Sequence, residues 1–286
     1  MAETIPDPIE RFRLDLVSQR RSVYTVRNYV GAVRRFSKWL QKGGYKRGPD
    51  EALPSQLKQY QVTLATSRLS KNTIYAAVKG LQAFYGFLDS KSGDHLRPPR
   101  RSQSLPTYLS EADAKTLRAV APIGSRERAV ISLLLYGGFR VSEVSRLEAA
   151  DLDFHEQTVS VRHGKGDKDR LVVVAEDAME DVRAWLATRQ ATASPFLFPA
   201  RWGEGPIGTR VVETMVSRAA RAAGIRKRVT PHVLRHTLAT SLLRHGGDIR
   251  FIQRILGHAS IATTQVYTHI DDGDLRRQYD RAKPEF

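Results

Sequence analysis

Apolar residues recur at steps of three and four along most of the first hundred residues, a spacing that gathers side chains on one face of an α-helix. The pattern predicts four helices, over about 8–20, 23–41, 54–66 and 71–88. Ser22 and Ser70 stand where the second and fourth helices need an N-cap, and Pro54 falls in a first turn, where its missing N–H costs nothing. We therefore expect a four-helix domain over residues 1–92.

The helical pattern breaks at residues 93–108. This stretch is rich in Pro, Ser and Arg and has little apolar periodicity, which is typical of a linker. We expect a basic linker here, followed by a second domain over residues 109–286.

The second domain mixes two periodicities. A strongly apolar run predicts a core helix over 126–136, and two alternating runs, 158–162 and 170–174, predict a β-hairpin. Helical patterns return after Glu176. The expected fold is therefore mostly α with a small β-sheet, in which the second domain is α+β.

The charge of the chain indicates what kind of partner it binds. The formal net charge is +16, and residues 1–100 hold 18 Lys and Arg against 8 Asp and Glu. Such an excess in a small domain indicates a polyanionic partner, most commonly nucleic acid. Charge alone does not separate DNA from RNA or from an anionic membrane surface. Arg97, Arg100 and Arg101 place part of this charge on the linker, where they are candidate phosphate contacts.

Composition excludes several classes of protein. The chain has no cysteine, which excludes a disulfide framework, a thiolate zinc site and a cysteine nucleophile. No apolar run approaches the roughly 18 residues of a membrane span. The first eight residues are acidic and polar, unlike a secretory signal. We expect a cytoplasmic protein without a membrane anchor.

Two basic segments of the second domain are candidates for anion binding. In Gly138–Glu143, glycine is followed by Arg140 at the expected start of a helix capped by Ser142, a position suited to anions. In the expected hairpin turn, Lys165 stands between two glycines, with Lys168 and Arg170 close behind. Taken singly, these are ordinary turn residues.

Two later segments carry His and Tyr. His232, Arg235 and His236 share one face of a predicted helix. The two histidines also have the spacing of a metal pair, but Val233 stands where a zinc hydrolase has glutamate, and such a site also needs a third ligand. Further on, Tyr267 follows His258 by nine residues. Ser260 is a candidate N-cap for a short helix that ends near Tyr267. A lone tyrosine on such a helix usually packs in the core.

Together these residues have the chemistry of phosphoryl transfer. Two arginines can hold the non-bridging oxygens of a phosphate, lysine or histidine can move the proton, and tyrosine can attack and hold a covalent intermediate.

The motifs resemble those of the tyrosine site-specific recombinases, or λ-integrase family. The segments that carry the resemblance are Gly-Phe-Arg140-Val-Ser-Glu, Gly-Lys165-Gly-Asp-Lys-Asp-Arg, His232-Val-Leu-Arg235-His-Thr-Leu-Ala-Thr and Leu-Gly-His258-Ala-Ser-Ile-Ala-Thr-Thr-Gln-Val-Tyr267-Thr-His. The first helices are similar to that family's core-binding domain, and the overall size and short tail after Tyr267 are most similar to its Xer branch.

This resemblance implies a catalytic role for six residues. Tyr267 would attack the scissile phosphate, and Arg140 and Arg235 would hold its oxygens. Lys165 would protonate the departing 5′-oxygen, His232 would serve as the acid/base partner of the tyrosine, and His258 would position the phosphate. Glu143 would orient Arg140. Lys168, Arg170 and the linker arginines would contact DNA.

The resemblance also implies the setting of the reaction. The N-terminal SAM-like core-binding domain and the C-terminal catalytic domain would form a clamp around double-stranded DNA with an inverted-repeat core site. Recombination would pass through a 3′-phosphotyrosyl intermediate and a Holliday junction without ATP, metal or another cofactor. A homotetramer on two sites, or a heterotetramer with a second recombinase, would resolve dimers or cointegrates at the nucleoid during chromosome partition. The tail, with Leu275, Tyr279 and Phe286, would dock on a neighbouring subunit or on its own domain.

Other functions stay open at this point. A phage or mobile-element integrase or transposon recombinase uses the same chemistry, and a DNA-binding paralogue of the same fold can lose catalysis. A metal-dependent nuclease would need paired carboxylates. The acidic residues near the motifs, Asp151, Asp153, Asp167 and Asp169, have instead the pattern of turn and surface residues.

Overall fold

The chain divides into two compact units, Met1–Ser104 and Leu105–Phe286. The structure is a computed structural model and describes residues 7–100, 107–162, 169–190, 193–202, 204–256, 279–280 and 283. Every structural statement below refers to these residues.

The N-terminal unit is helical, as the apolar spacing predicts. Its helices are α1 (Pro8–Ser18), α2 (Val23–Lys42), α3 (Pro54–Ala65) and α4 (Lys71–Phe87), followed by a 3₁₀ turn over Lys91–His95. The two predicted caps are confirmed. Ser22 Oγ accepts from the backbone N–H of Thr25, and Ser70 Oγ accepts from that of Thr73, each at 3.1 Å. These bonds satisfy donors that a helix start leaves unpaired.

Helices α2 and α4 form the core of this unit. Gly80 lies at their crossing, where an added Cβ would stand 2.9 Å from the Ala32 Cβ atom and 3.1 Å from the Tyr29 Cα atom. Only glycine therefore allows this close approach of the helices. Phe36 and Phe84 fill the core on either side of the contact and are fully buried.

The start of the expected linker packs on this unit. Leu96 is buried in the N-terminal core. The side chain of Gln61 donates to the carbonyl of Arg97 at 2.6 Å and accepts from its backbone N–H at 3.2 Å. Residues 93–97 are thus held by the helices that precede them, while the side chains of Arg97 and Arg100 are exposed.

The second unit combines helices with a small antiparallel sheet. Its helices are α5 (Glu111–Ala119), α6 (Arg126–Gly137), α7 (Val141–Arg146), α8 (Glu176–Thr188), α9 (Thr209–Ala222), α10 (Pro231–Arg244) and α11 (Ile249–Leu256). Its strands are β1 (Leu152–Asp153), β2 (Thr158–Val161) and β3 (Arg170–Val173), in the order β1-β2-β3. The predicted hairpin is confirmed, with Val161 opposite Arg170. The two-residue strand β1 is too short for its alternation to predict.

Helix α6 is the central element of this unit. All its residues from Ala129 to Gly137 are buried, and it packs against α8 and α10. One polar contact crosses this core. Asp181 on α8 accepts from Ser132 and pairs with Arg118 at 2.8 Å and Arg128 at 3.1 Å.

Asp151 differs from its prediction. We expected a surface residue, but its side chain is 5% exposed and lies 2.9 Å from a guanidinium nitrogen of Arg162. Its other oxygen accepts from the backbone N–H of Glu148 at 2.9 Å. Strand β1 follows directly and draws Asp151 against the sheet. Asp153 is exposed, as expected, but it is the last residue of β1, from which it accepts hydrogen bonds from two backbone N–H groups of the turn that follows.

Tyr279, in the segment that follows Tyr267, is buried in the core of its own unit. Its hydroxyl donates to the carbonyl of Tyr136 at 3.3 Å. This residue therefore packs on its own domain, one of the two expected alternatives. Leu275 and Phe286 lie outside the described residues.

None of the helices in the described ranges is both long and apolar enough to span a bilayer.

The Asp181 contact predicts a measurable loss of stability. D181N keeps the shape of the side chain but removes its charge, which takes the carboxylate from part-buried Arg128 and leaves Arg118 with only the longer contact to Asp177, at 3.7 Å. We expect the free energy of unfolding, measured in urea, to fall by about 3 kcal/mol. E180Q removes the same charge from an exposed position on the same helix and should change it by less than about 0.5 kcal/mol. Equal effects of the two variants would contradict this account of the contact.

Candidate active site

Arg140 lies where α6 ends and α7 begins. Gly138 makes the turn in the left-handed region, at φ 59°, and an added Cβ would lie 2.7 Å from Leu256 and 2.9 Å from Leu238 side-chain carbons. Both the backbone angle and the lack of space therefore require glycine. The expectation that Ser142 caps the next helix is wrong. Arg140 is the N-cap, and its backbone N–H donates to Glu143 Oε2 at 2.8 Å.

Arg235 lies on α10, a helix that begins at Pro231 and is capped by the hydroxyl of Thr230. Its guanidinium donates to the carbonyls of Gly138 and Leu256, so it joins the α6–α7 turn to the end of α11. The residue is only 4% exposed. Burial, followed by the nearby charge of Arg140, lowers the pKa of Arg235 to about 10. It is still a cation at neutral pH.

Glu143 binds two arginines at once. Its Oε1 accepts from Arg140 Nη1 at 2.6 Å, and Arg170 donates to both oxygens, at 2.9 and 2.8 Å. Burial would raise the pKa of Glu143, but the hydrogen bonds from Arg170 and from the Arg140 backbone outweigh it and lower the pKa to about 2. The carboxylate is thus ionised at any physiological pH and holds Arg140 in place.

The position of Arg170 corrects its predicted role. We expected a DNA contact in the hairpin, but the side chain is 14% exposed and its terminal nitrogens face Glu143. Arg170 is the first residue of strand β3, at the end of the hairpin next to its turn, and its side chain points into the domain toward Glu143. Its fork-shaped guanidinium matches a carboxylate in two bonds, which gives it a supporting place behind Arg140.

One cavity brings together three of the predicted catalytic residues. It has a volume of about 330 Å³ and is lined by Arg140, His232 and Arg235, with Phe139, Val141, Glu213, Thr230 and Pro231. Two guanidinium groups and an imidazole around one space suit a phosphate or another oxyanion. In the described part of the chain, no three His, Asp or Glu side chains are placed to hold a metal ion.

His232 does not stand alone. Its Nε2 atom lies 3.0 Å from Nε2 of His236, one helical turn further on. Burial and the charge of Arg235 lower the pKa of His232, and burial, then His232 and Arg235, lower that of His236. Sequence reasoning gave His236 no function.

Glu213 is the residue at the cavity that sequence reasoning missed. It lies on α9, at an exposed position one turn from the helix start. No motif marks it, because its place depends on how α9 packs beside α10. Of the remaining predicted residues, Arg101, Lys165, Lys168, His258 and Tyr267 lie outside the described residues.

Comparison with known proteins gives matches along both units. Residues 105–274 match the phage integrase family, and residues 9–91 match the N-terminal SAM-like domain of phage integrases. Tyrosine recombinase XerA of Thermococcus kodakarensis is 36% identical over 279 residues, which cover 96% of this chain and 95% of that protein. Tyrosine recombinase XerC of Xanthomonas campestris pv. campestris is 36% identical over 239 residues, 80% and 74% of the two chains.

Solved structures share the fold. The crystal structure of a XerA recombinase is 41% identical, with 98% of this chain and 99% of that chain covered and a TM-score of 0.52. The recombinase XerH bound to its difH substrate is 21% identical, with 96% and 84% covered and a TM-score of 0.70. The second match is a likeness of fold alone.

The Glu143 contacts predict how stability depends on pH. Because the folded-state pKa lies near 2 and the ordinary value is 4.5, the ionised carboxylate stabilises the fold above pH 4.5, and this contribution is lost as the pH falls toward 2. The parent should exceed E143Q by on the order of 3 kcal/mol at pH 7, and the difference should shrink below pH 4.5. Urea unfolding at several pH values measures it, with E180Q as an exposed control. A difference that does not change with pH would contradict the prediction.

Proposed function

The chain belongs to the phage integrase family of tyrosine recombinases, and we propose that Tyr267 is the nucleophile with which it cleaves and rejoins DNA. As a member of this family it is a DNA strand transferase that carries out site-specific recombination. The observation that most supports the proposed chemistry is the cavity in which Arg140, Arg235 and His232 meet.

The first step forms a covalent intermediate. The hydroxyl oxygen of Tyr267 attacks the phosphorus and loses its proton to His232, while the bond to the 5′-oxygen breaks. Lys165 gives that oxygen its proton, which leaves a 3′-phosphotyrosyl bond and a 5′-hydroxyl.

The phosphate is held while these bonds change. Arg140 and Arg235 bind the non-bridging oxygens, and His258 donates a hydrogen bond to the same group. Because these cations stand ready before the phosphate arrives, they stabilise the charge that develops in the transition state without reorganising.

Rejoining reverses the first step. A 5′-hydroxyl from the partner strand gives its proton to Lys165 and attacks the phosphorus, while the bond to Tyr267 breaks and the phenolate oxygen takes its proton back from His232. One phosphodiester is exchanged for another through a phosphotyrosine of similar energy, so the reaction needs no ATP. The guanidinium groups supply the positive charge that a metal would otherwise supply.

The DNA partner follows from charge and from similarity. We expect both units to contact double-stranded DNA with an inverted-repeat core site, with the exposed Arg97 and Arg100 beside the phosphates. Arg101 and Lys168 are further proposed contacts, whereas Arg170 is not. If about six phosphates are neutralised, affinity falls roughly 10³-fold between low and moderate salt.

The biological setting is inferred from the relatives. Proteins named XerA and XerC at 33–36% identity favour Xer-like resolution of dimers or cointegrates. A tetramer would join two sites through a Holliday junction, either alone or with a second recombinase, in the cytoplasm at the nucleoid. The alternative is the integration of a mobile element, since the integrases of phage Brujita and transposon Tn1549 have a similar fold. A silent DNA-binding paralogue is a third, less favoured function.

Trapping on a nicked suicide duplex tests the nucleophile. The parent should form a covalent protein–DNA adduct that withstands denaturing gel electrophoresis, and should form it in EDTA. Y267F should form none, because phenylalanine has no attacking oxygen. Y24F, at an exposed position in the N-terminal unit, is the matched control and should react as the parent does. Equal adduct from Y267F and the parent would refute the assignment, and dependence on a metal would point to a nuclease.

Substitution of Arg170 tests its place behind Arg140. R170K keeps the charge but loses the two parallel bonds to Glu143. We expect the single-turnover rate of adduct formation to fall about 10- to 100-fold, with DNA affinity within about twofold of the parent. If Arg170 were a phosphate contact, R170K would keep the charge and would change neither the rate nor the affinity strongly. Parental cleavage by R170K would therefore contradict the supporting role.

A further inference from the structure

The two histidines of α10 contact each other through like atoms. The Nε2 atoms of His232 and His236 are 3.0 Å apart, and the two rings meet edge to face with centroids separated by 4.4 Å. His232 lines the cavity with the two arginines, whereas His236 does not. The pair therefore reaches from the cavity to the next turn of the helix.

This contact constrains where the ring protons lie. A neutral imidazole carries one proton, and its two nitrogens are a donor and an acceptor. A hydrogen bond between two Nε2 atoms needs the proton on one of them and a lone pair on the other. One ring must then be protonated at Nε2 and the other at Nδ1, so the two neutral rings hold opposite tautomers.

We propose that His236 is a positioning residue for the recombination reaction: its hydrogen bond fixes the orientation of the His232 ring and couples the tautomer of that ring to its own. This inference rests on the proposed role of His232 as the acid/base partner of Tyr267. An imidazole locked in one tautomer presents a defined donor or acceptor to the cavity, whereas an unlocked ring spends part of its time in the wrong form.

The surroundings favour the neutral pair. The charged groups that line the cavity are Arg235 on the same helix, Arg140 before α7 and Glu213 on α9. Helices α6 and α11 also pack on α10, but none of their described residues lines the cavity. Burial, then Arg235, lower the pKa of His232, and burial, then His232 and Arg235, lower that of His236. Both shifts favour neutral rings near pH 7, the state in which the shared hydrogen bond gives the two rings opposite tautomers.

The tautomers of the two rings can be measured by NMR, independently of DNA cleavage. In the full chain labelled with ¹⁵N-histidine, long-range ¹H–¹⁵N spectra at pH 7.5 distinguish Nδ1-H from Nε2-H rings, and H232Q assigns the His232 signals. We expect the two rings to hold opposite tautomers in the parent, and the tautomer populations of His232 to change in H236L, which has lost the partner of the ring. In H236Q the amide can donate or accept at the same place and keeps a hydrogen bond to the ring. The same His232 tautomer in the parent and in H236L would overturn the proposal.

Cleavage gives the second readout. On the nicked suicide duplex, H236L should form adduct about tenfold more slowly than the parent, while H236Q stays within about twofold. H245Q removes a histidine at the other end of the helix and should match the parent, and thermal unfolding checks that each variant is folded. Parental cleavage by H236L, or an equal loss in H236Q and H236L, would overturn the proposal. If no protein forms adduct, the proposed function fails, but the spectra still decide the role of His236.

Discussion

The site depends on one buried anion. In the mechanism we propose, Arg140 and Arg235 share one phosphate, yet two guanidinium groups repel each other, and burial strengthens that repulsion. The carboxylate of Glu143 opposes it from inside the domain by binding Arg140. Arg170 then holds the carboxylate itself through two parallel bonds. These contacts run from strand β3 through Glu143 to Arg140 and so connect the sheet to the cavity.

Arg235 is held differently, by backbone carbonyls at two separate points of the chain. Its nitrogens contact the turn at Gly138 and the last residue of α11, so a single side chain sets the distance between these segments. Because Gly138 admits no Cβ, this turn stays close to α10 and α11. Precision in the cavity therefore comes from packing as much as from charge.

Local signals predict local structure well here and predict contacts between distant residues poorly. The caps at Ser22 and Ser70 and the hairpin 158–174 follow from neighbouring residues, and they are confirmed. That Arg140, His232 and Arg235 line one cavity follows from motif resemblance, since no periodicity links residues so far apart. The interior positions of Arg170 and Asp151 could not be predicted, because a charged residue looks the same in sequence whether it faces water or a buried partner. The contact between His232 and His236 is only partly predictable. Their spacing of four residues places them on one face of the helix, but the side-chain conformations in the structure are needed to show that the rings touch.

The burial of Arg235 has a consequence for how the protein responds to its substrate. Burial takes this guanidinium out of water and Arg140 repels it, so the charged form of Arg235 is destabilised, as its lowered pKa shows. In the proposed mechanism a phosphate brings negative charge next to Arg235, so binding stabilises the cation that burial disfavours. DNA binding and folding are therefore thermodynamically linked: a phosphate bound in the cavity also raises the free energy of unfolding of the domain.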